Sequence, residues 1–373
     1  MDRDRLKRTQ RPTTLINESQ IRRVDERQNG FERADQGDFG AFVQHESSRF
    51  VMKHPLSGVM RQMTKALGDE DVVDGAILPK AAPLTEDPQT NSQHIKETAY
   101  FLRADMVGIC ELPTYAIYSQ RAPDGEQVIL NHKYAIAVLV DQDYRTAKAS
   151  TGSDWINNAM SFRAYSASAY IAVMLAAYIR ELGYPARAHH AMNYQVIVPP
   201  ILVWAGLGEM SRLGDSVVNP FLGARFKAAI VTTNMPLMPD KPIDFGLQSF
   251  CSACKKCARE CPVGAISDGD KIIYNGYEKW ELDVKRCTSM RIGNQRGAGC
   301  GTCIKVCPWN KPDTWFHRSV NWTLRHFPFT HPLAARADDW LGYSKPYPQG
   351  KWWLDLENEE GELSVPKPRR YGR

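Results

Sequence analysis

Residues 250–264 read FCSACKKCARECPVG and residues 298–310 read AGCGTCIKVCPWN. The first stretch has the spacing Cys251-x2-Cys254-x2-Cys257-x3-Cys261-Pro262. Three thiolates at every third position wrap one iron–sulfur cubane, and the fourth reaches a neighbouring cluster. The second run is Cys287-x12-Cys300-x2-Cys303-x3-Cys307-Pro308. Its first thiolate arrives from a distance, over the Gly-rich stretch Gly293–Gly301 that lets the chain fold closely round a cluster. The crossed pattern assigns Cys251, Cys254, Cys257 and Cys307 to one [4Fe–4S] cluster, and Cys287, Cys300, Cys303 and Cys261 to a second. A pair of zinc sites would favour separated Cys-x2-Cys pairs and has no use for a triple run followed by Cys-Pro. The chain reads as a redox protein.

Outside these runs cysteine is scarce: the first 250 residues hold only Cys110. Secreted disulfide scaffolds spread their cysteines along the chain, whereas metal sites bunch them. Cys110 sits in the apolar run Met106–Leu112 and reads as a buried small hydrophobe. The 373 residues suffice for two domains, and 43% hydrophobic with 24% charged residues is an ordinary globular composition. The basic runs Arg3–Arg11 and Lys367–Arg373 lie at the two ends and read as solvated tails, which argues against nucleic-acid binding. No stretch reaches the roughly 18 consecutive apolar residues of a membrane span. The run near Ala164–Ile179, broken by Ser and Tyr, reads as a buried core helix. No charged-then-apolar signal segment opens the chain, and Arg22-Arg23 is not followed by the apolar stretch of a twin-arginine leader. The expected location is cytoplasmic, beside the reading of a mature chain whose twin-arginine leader has been removed.

The organisation follows from pattern. Residues 1–50 are rich in Arg, Asp, Gln and Gly, and residues 1–90 read as an extension wrapping the core. Residues 91–240 read as an α/β (α+β) domain: a helix over Asn91–Leu102, strands at Met106–Cys110 and Tyr134–Val140, and a long helix capped by Asp154 and ended by Gly183 and Pro185. A strand at Gln195–Val198, a helix over Ile201–Leu213 and a strand at Phe226–Thr232 complete it. The proline-rich Met235–Asp244 reads as a linker. The two-cluster, ferredoxin-like module spans 241–312, and the Trp-rich 313–373 reads as a packed wrap.

A plain two-cluster ferredoxin needs only about 60 residues, a size typical of metal-stapled domains. The large domain in front therefore implies a second cofactor that the electrons reach. Around the cysteine runs the chain resembles the corrinoid-dependent reductive dehalogenases, of the cytoplasmic, catabolic-like type. The stretches that carry the resemblance are PDKPIDFGLQSFCSACKKCARECPVGAIS, GYEKWELDVKRC, CGTCIKVCPWNKPDTWFHR and DDWLGYSKPYPQGKWWLDLE, with AYIRELGYPARAH and AGLGEMSRLG upstream. The resemblance implies a nitroreductase-like domain holding a base-off corrinoid (a cobalamin) beside the two [4Fe–4S] clusters. Cobalt would remove the halogen of an organohalide while a tyrosine supplies the proton. No His here has Asp two residues before it, so the Asp-x-His-x-x-Gly signature of a histidine lower ligand is absent.

Carried over residue by residue, the resemblance makes Tyr165 the proton donor, with Tyr170 as the alternative. Arg225 is the candidate for the cation that lowers the phenol's pKa, with Lys227 as its substitute, and Asn193 the candidate contact to substrate or donor. Each also has a plain reading: core aromatic, strand-start charge, turn-forming Asn. The expected partners are a small organohalide and an external electron donor, a ferredoxin or a flavodoxin with its reductase. No nucleic acid and no membrane span are expected, and a homodimer is the assembly considered. Two rivals stand beside this reading. An epoxyqueuosine-reductase-like corrinoid enzyme acting on tRNA shares Cys307–Asn310 and Arg286-Cys287, but not the Cys287–Cys300 spacing or the WLGYSKPYPQGKWW tail. A non-catalytic electron carrier would bind the clusters alone.

Overall fold

The computed structural model describes residues 6–345 apart from 84, 151, 153 and 295–298, together with 347, 356–359 and 361–365. Trp352, Trp353, the Lys367–Arg373 run and the middle of the Gly293–Gly301 stretch lie outside the described residues. In chain order the larger region contains β1 (Lys7–Arg8), α1 (Pro88–Phe101), β2 (Met106–Glu111), β3 (Tyr134–Asp141), α2 (Ile156–Glu181), β4 (Ala186–His189), α3 (Val198–Trp204) and β5 (Phe226–Thr233). Four strands pair in the order β2-β3-β5-β4, all antiparallel, with Ile109 opposite Ile136, Val138 opposite Ala229 and Ala188 opposite Val231. The alternation of strands and helices thus builds an α+β layer rather than a parallel α/β one.

Side chains on a strand alternate between faces. On β3, Ile136, Val138 and Val140 therefore join Ile95 of α1 with Ile171, Leu175 and Ile179 of α2. Ala135, Ala137 and Leu139 face the other way, onto Ile201, Leu202 and Val203 of α3. A central strand buried on both faces explains the unbroken apolar run. Cys110 lies buried in the second of these layers, as expected.

α2 is the core helix. By length and composition it is the one described helix that could cross a membrane, and more than half of its apolar window is buried inside the protein. Gly183, at φ +87°, and Pro185 end it as expected. Asp154 does not cap it: Trp155 holds the N-cap position, and the Asp154 carboxylate accepts from the Ser150 hydroxyl at 2.8 Å.

Three further expectations need correction. Gln195–Val198 forms only an isolated bridge, Ile117 to Val196, and the strand beside β5 is Ala186–His189. The helix expected over Ile201–Leu213 starts earlier, because Pro199 and Pro200 suit a first turn, and it stops at Trp204 before Gly206 at φ +65°. Met235–Asp244 is a strap, not a free linker. Met235 and Leu237 are buried, and the Asp240 carboxylate accepts from the Ile109 amide at 2.8 Å and pairs with Lys96 at 2.6 Å.

Beyond the strap come β6 (Ile243–Asp244), which pairs with β1, then α4 (Leu247–Cys254), α5 (Lys256–Arg259), α6 (Val284–Gly293) and α7 (Thr302–Val306). The N-terminal segment joins the two regions: Ala34, Phe39, Val43, Phe50 and Val51 cluster with Phe162 of α2 and Ile292 of α6. The last helices are α8 (Trp315–His326) and α9 (His331–Trp340). Leu324, His331, Ala335 and Asp338 are their buried residues, whereas Trp315 is 79% and Trp340 93% exposed. The tryptophans of this tail that are described are thus not the packed wrap that its composition suggested.

Candidate active site and cluster module

Cys251 and Cys254 lie one turn apart on α4, and Cys257 follows on α5 after Lys255 turns the chain at φ +50°. These three and Cys307 line one pocket, together with Arg212, Phe250 and Trp309. This is the crossed set: three thiols from the first run and one from the second. The buried Arg212 fixes the pocket floor. It donates to the Cys251 carbonyl at 2.9 Å and to the Ser267 and Gly269 carbonyls at 2.9 and 2.8 Å, with its guanidinium 4.8 Å over the Trp280 ring. Trp309 meets Phe245 and Phe250 edge-on at 4.8 and 5.7 Å. Gly223, at φ +62°, lets its turn approach this corner, since a Cβ there would stand 2.8 Å from the Trp309 carbonyl.

Burial pushes the Cys307 thiol up to about 12 and raises Cys251 and Cys257 likewise, so these groups become thiolates only against iron. Around the second site burial raises Cys303, and Cys300, Cys287, Cys257 and Cys261 are the neighbours that raise it further. The cysteines fit two adjacent cubanes.

Next to the module lies an open cavity of about 330 Å³ between α2, α3 and β5. Its wall is mostly apolar, with Val196, Leu202, Val217 and Ile304 among the lining residues. Ile304, the residue after Cys303, lines the cavity, and so does Val217, the residue before the Val218 that lines the Cys251 pocket. Tyr165 of α2 and Lys227 of β5 share one wall, with the Lys227 Nζ 4.7 Å from the Tyr165 ring centroid. The Lys227 ammonium holds the Tyr165 phenol below its usual range, outweighing burial, and Arg291 and a hydrogen bond with Lys227 add to the effect. Tyr118 and Tyr194 also line the cavity, and burial pushes both phenols up. Three tyrosines meet at one cavity, and only Tyr165 is tuned to release its proton easily. α2 also holds the second cluster loop: Asn157, oriented with its oxygen toward the loop, accepts from the Cys300 and Gly301 amides at 3.2 and 3.1 Å.

The other candidates lie elsewhere. Arg225 is captured by Asp141 in a two-pronged pair at 2.7 and 3.0 Å and donates to the Asn310 side chain at 2.6 Å, so it ties the sheet to the Cys307 turn and does not reach Tyr165. Lys227, the substitute, takes that place. Asn193 is a joint outside the cavity wall: it accepts from Arg187 at 2.9 Å and donates to the Gly68 carbonyl at 2.8 Å and to Glu70 at 3.1 Å. Tyr170 is 49% exposed. Tyr118, Tyr194 and Arg212 were missed by the sequence reading. Tyr194 lies next to Asn193 in AMNYQV, and Arg212 lies inside the stretch AGLGEMSRLG that carries part of the resemblance.

Fold and module together define an iron–sulfur redox protein whose α+β domain holds an open, largely apolar cavity. A family model described as a 4Fe-4S double cluster binding domain matches residues 250–310. The tetrachloroethene reductive dehalogenase of Desulfitobacterium hafniense (strain Y51) is 36% identical over 236 residues, which is 60% of this chain and 41% of that one. A catabolic reductive dehalogenase, NpRdhA, solved in complex with 3-bromo-4-hydroxybenzoic acid, is 39% identical with a TM-score of 0.94, covering 99% of this chain and 54% of its own. A reductive dehalogenase whose structure suggests a mechanism for B12-dependent dehalogenation is 38% identical at a TM-score of 0.92, over 99% of this chain and 54% of its own. The chain belongs to the reductive dehalogenase family. It spans about half the length of these relatives. The likeness to epoxyqueuosine reductase, that of Bacillus cereus, is 34% identity over only 29% of this chain.

Proposed function

We propose that the protein is a reductive dehalogenase that replaces the halogen of an organohalide, a halophenol in the first instance, with hydrogen. The observation that carries the proposal is the Tyr165–Lys227 pair on the wall of a cavity that Ile304, the residue after Cys303, also lines. The chemistry of the lining suits an apolar-faced macrocycle: the described wall residues are largely aliphatic and aromatic and offer no His or Cys to a central metal. A corrinoid bound there would supply the cobalt chemistry that reduces a carbon–halogen bond. The chain's own residues do the rest. The cysteines hold the clusters that deliver electrons one at a time. Tyr165 donates the proton that replaces the halogen, and the Lys227 ammonium stabilises the phenolate left behind. Tyr118 and Tyr194 are held protonated by burial; Tyr194 donates its hydroxyl to the Ala228 carbonyl at 3.1 Å, and both line the cavity that would receive an aromatic substrate. An external ferredoxin or flavodoxin would reduce the clusters, in the cytoplasm.

EPR of anaerobically prepared, corrinoid-loaded protein tests this reading. A base-off Co(II) signal that changes when 3-bromo-4-hydroxybenzoic acid is added supports it. A Co(II) signal indifferent to a panel of organohalides contradicts it. Tyr165→Phe should keep both cofactors and lose turnover by about 10²–10⁴-fold, the usual contribution of a positioned general acid.

A further inference from the structure

Beside the Cys251 pocket lies a buried set of charges that the chemistry above does not use. Lys256 stands between Cys254 and Cys257, and its side chain is 1% exposed. Its ammonium meets Asp338 of α9, itself 5% exposed, and reaches Asp339 at 2.8 Å. Lys311, four residues after Cys307, pairs with the other oxygen of Asp338 at 2.5 Å and sits 4.4 Å over the Tyr343 ring. Arg259 closes the set on Asp339 at 2.9 Å. Asp338 thus bridges two lysines, one from each cysteine run.

Stability is a weak reason for such an arrangement, since taking ions out of water costs several kcal/mol each and good pairing does little more than offset it. Its placement gives a better one. The placement puts these charges beside the ligands of one cluster: Lys256 lies between Cys254 and Cys257, Lys311 lies four residues after Cys307, and both meet Asp338, the lysines favouring extra negative charge and Asp338 opposing it. Reduction adds one electron to the cluster, so a net positive field favours the reduced form and a balanced field does not.

We propose that Asp338 sets the reduction potential of the cluster on Cys251, Cys254, Cys257 and Cys307, offsetting part of the field of Lys256 and Lys311 and keeping that cluster a stronger reductant than the lysines alone would leave it. The inference needs the clusters and is independent of the organohalide reading. Asp338 touches neither substrate nor cluster; it acts through the two lysines.

The test is a potentiometric titration followed by EPR on the reconstituted full chain, in wild type, Asp338→Asn and Lys311→Met. Cys307→Ser identifies which signal belongs to the Cys251 cluster. Asp338→Asn should shift the reduction equilibrium of that cluster about tenfold toward the reduced form, about 59 mV upward for one electron. Lys311→Met should shift it the opposite way, and the Cys287 cluster should move by less than half as much in either variant. If Asp338→Asn fails to load iron, the downward shift in Lys311→Met carries the test alone. Unchanged potentials at full iron content, shifts of the same sign in both variants, or equal shifts of both clusters would overturn the proposal.

Discussion

Replacing Lys227 by Met probes the chemistry at its most sensitive point. The ammonium lies 4.7 Å from the Tyr165 ring centroid, and a unit charge at that distance acts with about 3.5 kcal/mol at an effective dielectric constant near 20. The cavity is open, so solvent screens part of this, and about 2 kcal/mol is a fair figure for the charge that develops on the phenol during proton donation. That is about 30-fold in rate. The assay is halide release from a halophenol under saturating reductant, with iron and cobalt contents matched. The pH profile supplies a second readout. Tyr165 donates only while protonated, and Lys227 holds its phenol below the usual range. Activity of the parent therefore falls as pH rises through that lowered pKa. Removing Lys227 raises the pKa, so the alkaline limb should move to higher pH even as the rate falls, and Lys227→Arg should restore part of both. Turnover within threefold of the parent, with an unmoved alkaline limb, would refute the argument.

Other outcomes follow from the same geometry. Cys251→Ser and Cys307→Ser should remove one and the same EPR signal, and Cys261→Ser and Cys287→Ser the other; pairing of Cys251 with Cys261 in their effects would break the crossed assignment. Asn193→Ala should lower the unfolding free energy measured by urea titration by about 1–3 kcal/mol for the buried partners it leaves unpaired, with KM unchanged; a KM effect without a stability loss would return Asn193 to the substrate. Arg225→Ala should likewise destabilise through the loss of Asp141 and Asn310, leaving the alkaline limb where it was. A moved limb would make Arg225, and not Lys227, the partner of the phenol.

The cluster module was legible because its information is local. Ligands at every third residue place Cys251, Cys254 and Cys257 round one centre whatever the rest of the chain does, and Cys-Pro marks the residue that crosses over. The core was legible where burial is extreme, as in the Tyr134–Val140 run and the helix ending at Gly183. What failed depended on partners distant in sequence. Arg225 and Lys227 look alike in GARFK, and the choice between them is made by Asp141, a neighbouring strand's carboxylate that captures Arg225. Gln195–Val198 has the composition of a strand, but the edge of β5 is already taken by Ala186–His189. The exposed Trp315 and Trp340 could not be told from packed ones by residue type, because α8 and α9 bury other faces. The sequence singled out Tyr165 only through family likeness; the cation beside it is what its surroundings add.

Whether the cavity beside Tyr165 performs reductive dehalogenation is open to a single measurement. The direct measurement is bromide release from 3-bromo-4-hydroxybenzoic acid by the full chain carrying both clusters and a corrinoid, under anaerobic reduction. The expected result is stoichiometric bromide and 4-hydroxybenzoic acid from the loaded protein, and none from protein carrying the clusters alone. Loaded, reduced protein that releases no more bromide than free corrinoid, from this compound and a panel of other halophenols, would contradict it.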